Sequence, residues 1–170
     1  MTLPSTGPIS FEDVNVELGR SRSASISLGE TEVRALAGKL TGSVSLGDLR
    51  GKGFTHRVSV ANLNNGSRFG YWSSIPGGSV TPNTVEYGKT LTAIMTYPAS
   101  DSVNKDFITI GIGGVGTGTS GTLTLKWAGL ELTKSVFNGD AVFNIPELAE
   151  HIRNNVGKTI GLSLTFVLRQ

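Results

Sequence analysis

The run Gly111-Ile112-Gly113-Gly114-Val115-Gly116 has the spacing of a dinucleotide-binding glycine loop. It follows the apolar stretch Phe107 to Ile110, and Glu131 lies at the distance of a ribose-binding acid. Such a site needs its third glycine to open a helix whose N-terminus faces pyrophosphate. Here Thr117-Gly118-Thr119-Ser120-Gly121 and a strand pattern follow, so the stretch reads as a glycine-rich loop between strands. Gly88-Lys89-Thr90 and Gly157-Lys158-Thr159 echo the end of a phosphate loop. The positions for its leading glycine hold Asn83 and Ile152, and both tripeptides precede strands. His56 and His151 have no second histidine at metal-ligand spacing, and the chain has no cysteine to join them. Each is expected to be a solvated or surface side chain, with His151 on the exposed side of a helix beside Glu150. No Gly-x-Ser-x-Gly elbow occurs, and no pair of carboxylates stands out for glycoside cleavage. The chain therefore reads as a non-enzyme, with no cofactor and no metal.

One aromatic cluster fits binding. Phe69-Gly70-Tyr71-Trp72-Ser73-Ser74 sets three aromatics beside small hydroxyl residues, and Tyr71 and Trp72 could stack a sugar. The competing account places Phe69 and Tyr71, two apart, in a sheet core, with Trp72 covering an edge. Period-two aromatics favour that core account.

The elements that would carry any site begin with a repeated phrase. Ile9-Ser10-Phe11-Glu12-Asp13, Ile26-Ser27-Leu28-Gly29-Glu30 and Val44-Ser45-Leu46-Gly47-Asp48 each put an acid three residues after a serine. That is capping-box spacing, and an acid in a first turn suits the helix dipole. Phe11, Val14 and Leu18 then fall on one helical face before Gly19. Val33, Leu36 and Leu40 repeat the spacing, with Gly38 expected to end the helix before Leu40. The third unit, Leu46 to Arg50, is barely one turn. Helices this short are marginal alone. Residues 1–53 are accordingly expected to form a small docking module. Ile9, Phe11, Val14, Leu18, Leu28, Val33 and Leu36 would be its interface.

These units also carry a likeness. Leu3 to Gly19, then Ile26-Ser27-Leu28 with Val33-Arg34-Ala35-Leu36-Ala37-Gly38, then Val44 to Lys52, resemble a segment that opens many tailed-bacteriophage virion proteins. Those proteins are tail, collar or fibre components, and a variable β-rich domain commonly follows the segment. Gly121 to Trp127 with Phe137-Asn138-Gly139 is similar to such β domains. Phe11 and Gly47 depart from the pattern, standing where such proteins tend to carry Leu or Ser. The resemblance implies a virion structural protein, assembled in the host cytoplasm, whose partners are other virion proteins and its own copies. Closed symmetry favours self-association as well. The alternatives are an adhesion module for a host surface glycan and a head decoration protein.

Composition narrows the classes further. The chain has 170 residues, 23 of them glycine, no cysteine and only 16% charged residues. This palette suits β-sandwiches and virion surfaces. The net charge of +2 is spread evenly, seven basic against six acidic residues in 1–57 and eight against seven in 58–170. Neither half is a nucleic-acid footprint. Arg20-Ser21-Arg22 is expected to be a solvated turn. No apolar run reaches membrane-spanning length, and Met1 to Ser5 has no basic region or apolar signal core, so neither membrane insertion nor export by a leader is expected.

From Phe54 onward the period becomes two. Val58 and Val60 share a face, as do Leu91, Ala93, Met95 and Tyr97; Ile108, Ile110 and Ile112; and Leu123, Leu125 and Trp127. In the last run Ile160, Leu162, Leu164, Phe166 and Leu168 face one way. Asn138-Gly139 is a hairpin signal. Pro146 opens a helix on which Leu148, Ile152 and Val156 step by four, and Gly157 closes it. Six to eight strands with these turns predict a mainly β protein. Residues 54–170 would form a β-sandwich or jelly-roll-like domain with a helix near 146–156 plugging one end.

Overall fold

The computed structural model describes residues 2–115 and 120–169. Among these the chain is mainly β, with two antiparallel sheets. The strands are β1 (His56–Ser59), β2 (Ala61–Leu63), β3 (Arg68–Trp72), β4 (Ser79–Thr81), β5 (Thr84–Val85), β6 (Lys89–Thr96), β7 (Phe107–Gly113), β8 (Ser120–Trp127), β9 (Leu130–Val136), β10 (Asp140–Asn144) and β11 (Thr159–Arg169). A five-stranded sheet runs β4-β1-β11-β8-β9, and a six-stranded sheet β10-β7-β6-β3-β2, with β5 beside β6. The expected runs supply β6, β7, β8 and β11, whereas β9, at seven residues, is anticipated only at its end beside Asn138-Gly139. The sequence reading missed β2, β4 and β5, which have two or three residues each and too few to show a period.

Alternation decides which side chains meet. Ile94 lies opposite Ile110, and Phe143 opposite Ile108, on one face of the six-stranded sheet. Leu164 lies opposite Leu125, and Phe166 opposite Leu123, on one face of the other. All eight are buried and belong to a single apolar cluster shared by both sheets. Asn138 and Gly139 turn with positive φ of 50° and 87°, as their side chains allow. Phe137 and Asp140 exchange both main-chain hydrogen bonds across it (2.8 and 2.9 Å), so the expected two-residue hairpin turn forms, while β9 and β10 on either side continue into different sheets. Tyr97 and Leu168 lie at the ends of their runs and are only partly buried.

α1 (Phe11–Glu17) and α2 (Thr31–Ala37) precede the sheets, followed by a 3-10 turn at Leu46–Leu49. The first box forms as spaced: Ser10 N–H donates to Asp13 Oδ2 (2.9 Å), and Asp13 N–H donates to Ser10 Oγ (3.2 Å). In the third, the Ser45 N–H and hydroxyl both donate to Asp48 Oδ2. The second is displaced. Ser27 N–H donates to Glu30 Oε1 (2.7 Å) across a turn, and α2 starts only at Thr31 with Glu30 as its cap. As expected, Gly38 ends α2 before Leu40.

This N-terminal layer lies on the outer face of the five-stranded sheet. Arg57 points away from the core that its neighbours His56 and Val58 enter, and it reaches Glu17 of α1. Gly161 faces the same way and is covered by the Phe54 ring. The packing does not break at residue 53, because Leu3, Val14, Val33 and Leu49 belong to the same cluster as both sheets. α3 (Pro146–Asn154) closes one end, burying Leu148, Ala149 and Ile152. It stops two residues before Val156, which is 42% exposed and does not continue the buried stripe.

Candidate functional site

The structure redistributes the residues expected to dock. Ile9, Val14, Leu18, Val33 and Leu36 are buried within this chain's own core, so they offer nothing to a partner. Leu28 is partly buried against the same core. Only Phe11, 44% exposed, faces outward. The helical spacing was right, but the surface those faces cover is the chain's own sheet.

What seats the layer is polar and steric. Arg57 Nη2 donates to the Glu17 main-chain oxygen (2.7 Å) and to Glu17 Oε1 (3.0 Å), with the Glu17 side chain only 1% exposed. Phe54 N–H donates to the same Oε1 (3.1 Å). Asn15 Nδ2 donates to the Ala24 and Arg22 carbonyls, which pins the loop after α1. Sequence reasoning found none of these. Asn15 and Glu17 sit inside an amphipathic pattern in which polar residues usually face water.

Between the layer and α3 lies a cleft of about 670 Å³, continued by a second of about 400 Å³. Arg20, Glu30, Glu32, Trp127, His151 and Lys158 are among its lining residues. Arg20 is not a solvated turn residue: it pairs with Glu30 (2.7 Å) and with Glu32. His151 is 7% exposed, contrary to its expected place on the outer side of the helix. Its ring lies 5.4 Å from that of Trp127, and its Nδ1 is 3.3 Å from Asn155 Nδ2. Burial holds its pKa below the ordinary imidazole value; Glu32 opposes the shift and Lys158 adds to it. Trp127 Nε1 is buried with no hydrogen-bond partner among the described residues.

His56 is also buried, at 3% exposed, and not a surface residue. One ring nitrogen bonds the Thr84 carbonyl (3.0 Å) and the other Thr55 Oγ1 (2.8 Å). Burial lowers its pKa against the pull of the Thr84 carbonyl and Glu86. The aromatic trio divides as strand alternation dictates. Phe69 and Tyr71 pack on the core, and the Tyr71 hydroxyl donates to the Leu91 carbonyl (3.3 Å). Trp72 is half-buried on the opposite face, across from Ala93.

The glycine motif is part of a strand. Gly111 and Gly113 belong to β7, Gly114 turns, and Gly116 lies outside the described residues. Gly88-Lys89-Thr90 runs into β6 and Gly157-Lys158-Thr159 into β11, both strands. Among the described residues no group of three or more His, Cys, Asp or Glu is placed to hold a metal ion, and no helix is long and apolar enough to cross a membrane.

Comparisons with protein families, curated proteins and solved structures found no match to this chain. Its geometry therefore has to be read on its own terms.

Proposed function

We propose that the chain is a structural component of a tailed-phage virion, in its tail, collar or fibre apparatus. In this reading the two sheets pack as a β-sandwich that assembles with its own copies and with neighbouring virion proteins. The observation that carries the reading is the three-unit N-terminal segment and its resemblance to the segment opening such proteins. Its apolar faces are spent on the chain's own sheet. Assembly contacts consequently move to the residues left outside.

The outer face of the six-stranded sheet supports this role. By register that face carries Trp72, Ala93, Met95, Thr109 and Val142; Ala93, Met95 and Thr109 are buried within the chain, which leaves half-buried Trp72 and Val142, 48% exposed, to meet a partner. Arg68, stacked 4.0 Å over the Tyr97 ring, and Asp140 are the charges the register places there. A face so poor in charge meets its own image without stranding unpaired ions.

Size-exclusion chromatography with light scattering should show an oligomer that Val142→Lys dissociates, and mass spectrometry of virions should contain the protein. A monomer at all concentrations, together with absence from virions, would end the proposal. Trp72, half-buried and across from Ala93 on that face, is the residue a glycan reading would use. Binding on a glycan array that Trp72→Ala abolishes would favour adhesion instead.

A further inference from the structure

An asparagine followed by glycine closes readily on its own backbone, because glycine puts no side chain in the path of its amide nitrogen. The chain holds two such pairs, Asn65-Gly66 and Asn138-Gly139. Both asparagines are exposed, and both sit in turns with positive φ, 55° and 50°. Local sequence treats the two alike; the fold separates them. Asn138-Gly139 is locked. Phe137 and Asp140 exchange both main-chain bonds across it, Ile112 N–H donates to the Gly139 carbonyl (2.6 Å), and Gly139 is buried. Asn65-Gly66 lies in the loop from β2 to β3, and β2 is a three-residue strand at the edge of its sheet. That loop is tied by Ser67 N–H donating to the Asn64 carbonyl (3.2 Å) and by Asn64 Nδ2 donating to Ser67 Oγ (3.0 Å). Asn64, Asn65 and Gly66 are all left-handed, with φ of 49°, 55° and 86°. The two asparagines hold that conformation at a steric cost. A strained loop on a short edge strand opens more easily than a turn tied to the core.

We propose that Asn65 is a site of spontaneous covalent modification: it deamidates through a cyclic imide in the folded protein, whereas Asn138 is protected until the chain unfolds. The proposal stands apart from the virion reading. Closure needs the Asn65 ψ to swing from 38° until the Gly66 nitrogen faces the side-chain carbonyl carbon. That nitrogen gives its proton to hydroxide and bonds to Asn65 Cγ. The Cγ–Nδ2 bond breaks, and Nδ2 leaves as ammonia with a proton from solvent. Water then adds to either imide carbonyl and the ring opens, leaving aspartate or isoaspartate. Nothing is oxidised or reduced, and water is the only co-reactant. Either product replaces a neutral amide with a carboxylate and lowers the net charge of +2 by one. Isoaspartate also adds a carbon to the main chain of the β2–β3 loop.

The test holds the folded full chain in mildly alkaline buffer for days and reads its peptides by mass spectrometry that separates isoaspartate from aspartate. The Asn65 peptide should convert at least about tenfold faster than the Asn138 peptide, because more main-chain bonds must break to open the second turn. In urea the two rates should converge. Asn65→Gly, a residue suited to the positive φ, should remove the conversion from its peptide. Conversion at Asn65 no faster than at Asn138 overturns the proposal, as does a product without isoaspartate or a conversion that persists in Asn65→Gly. Rates in urea that stay about tenfold apart would place the cause in local sequence and overturn it as well.

Discussion

Gly161 carries a hydrogen where any other residue would place a Cβ inside the Phe54 ring. Phe54 itself is 9% exposed and lies directly ahead of β1, so this one contact seats the end of the N-terminal layer against β11. Gly161→Ala must expel the ring or bend the strand, an overpacking cost of about 1–3 kcal/mol. A matching fall in the urea midpoint would be the readout, and an unchanged midpoint would show that the ring has room to move. Arg57→Ala removes the cation facing Glu17, whose side chain is almost wholly enclosed. Breaking a buried pair costs about 3–5 kcal/mol, and the quarter exposure of Arg57 places this pair toward the lower end. Arg57→Lys should recover only part of the loss, because one ammonium cannot reproduce the Nε and Nη2 bonds to the Glu17 carbonyl.

At the scale of elements, the three serine-acid phrases are not equivalent. Ser10 caps α1 from its first turn, so Ser10→Ala should destabilise by about 1 kcal/mol. Ser27 sits one turn before α2 begins, where its hydroxyl accepts from Gly29 N–H (3.2 Å) and caps no helical N–H. Ser27→Ala should therefore cost clearly less, which parallel denaturation curves would reveal. Equal losses would mean that the turn at 27–30 matters as much as the cap. The spacing of the phrases was legible in the sequence because capping is local. Where α2 begins was not. Glu30 is drawn toward Arg20, a contact ten residues away that no local pattern records. For the same reason alternation revealed the inner faces of β7, β8 and β11 but not which sheet each strand would join.

The whole molecule should respond to acid in two stages. Both histidines are held below their ordinary value of 6.5, chiefly by burial. Below that value the unfolded chain takes up protons that the folded chain refuses. Their contribution to stability is complete above it and is lost as pH falls toward the depressed values. Asp13 and Asp48 act lower down. The Ser10 backbone N–H, then its hydroxyl, hold the Asp13 carboxyl down. Lys39 first, and then the Ser45 N–H and hydroxyl, hold Asp48 at about 2. Lowered carboxylates stabilise above their ordinary value of 3.8, and that help is lost as pH falls toward their folded values. Calorimetry should show Tm falling just below neutrality and again under strong acid. A Tm unchanged from pH about 7 to about 5 would contradict the burial of both rings.

The sequence by itself determined what depends on neighbours along the chain: the helix start at Ser10, the stop at Gly38, the turn at Asn138-Gly139, and alternating faces from Val58 to Phe166. Those are set by backbone sterics and by hydrogen bonds within a few residues. Only the tertiary structure decided what the faces cover. It turned Val14, Val33 and Leu36 from a surface offered to others into cover for this chain's own sheet. It also took His56 and His151 out of water. Apolar area is buried against whatever surface the fold brings near, and that choice is made between residues tens of positions apart.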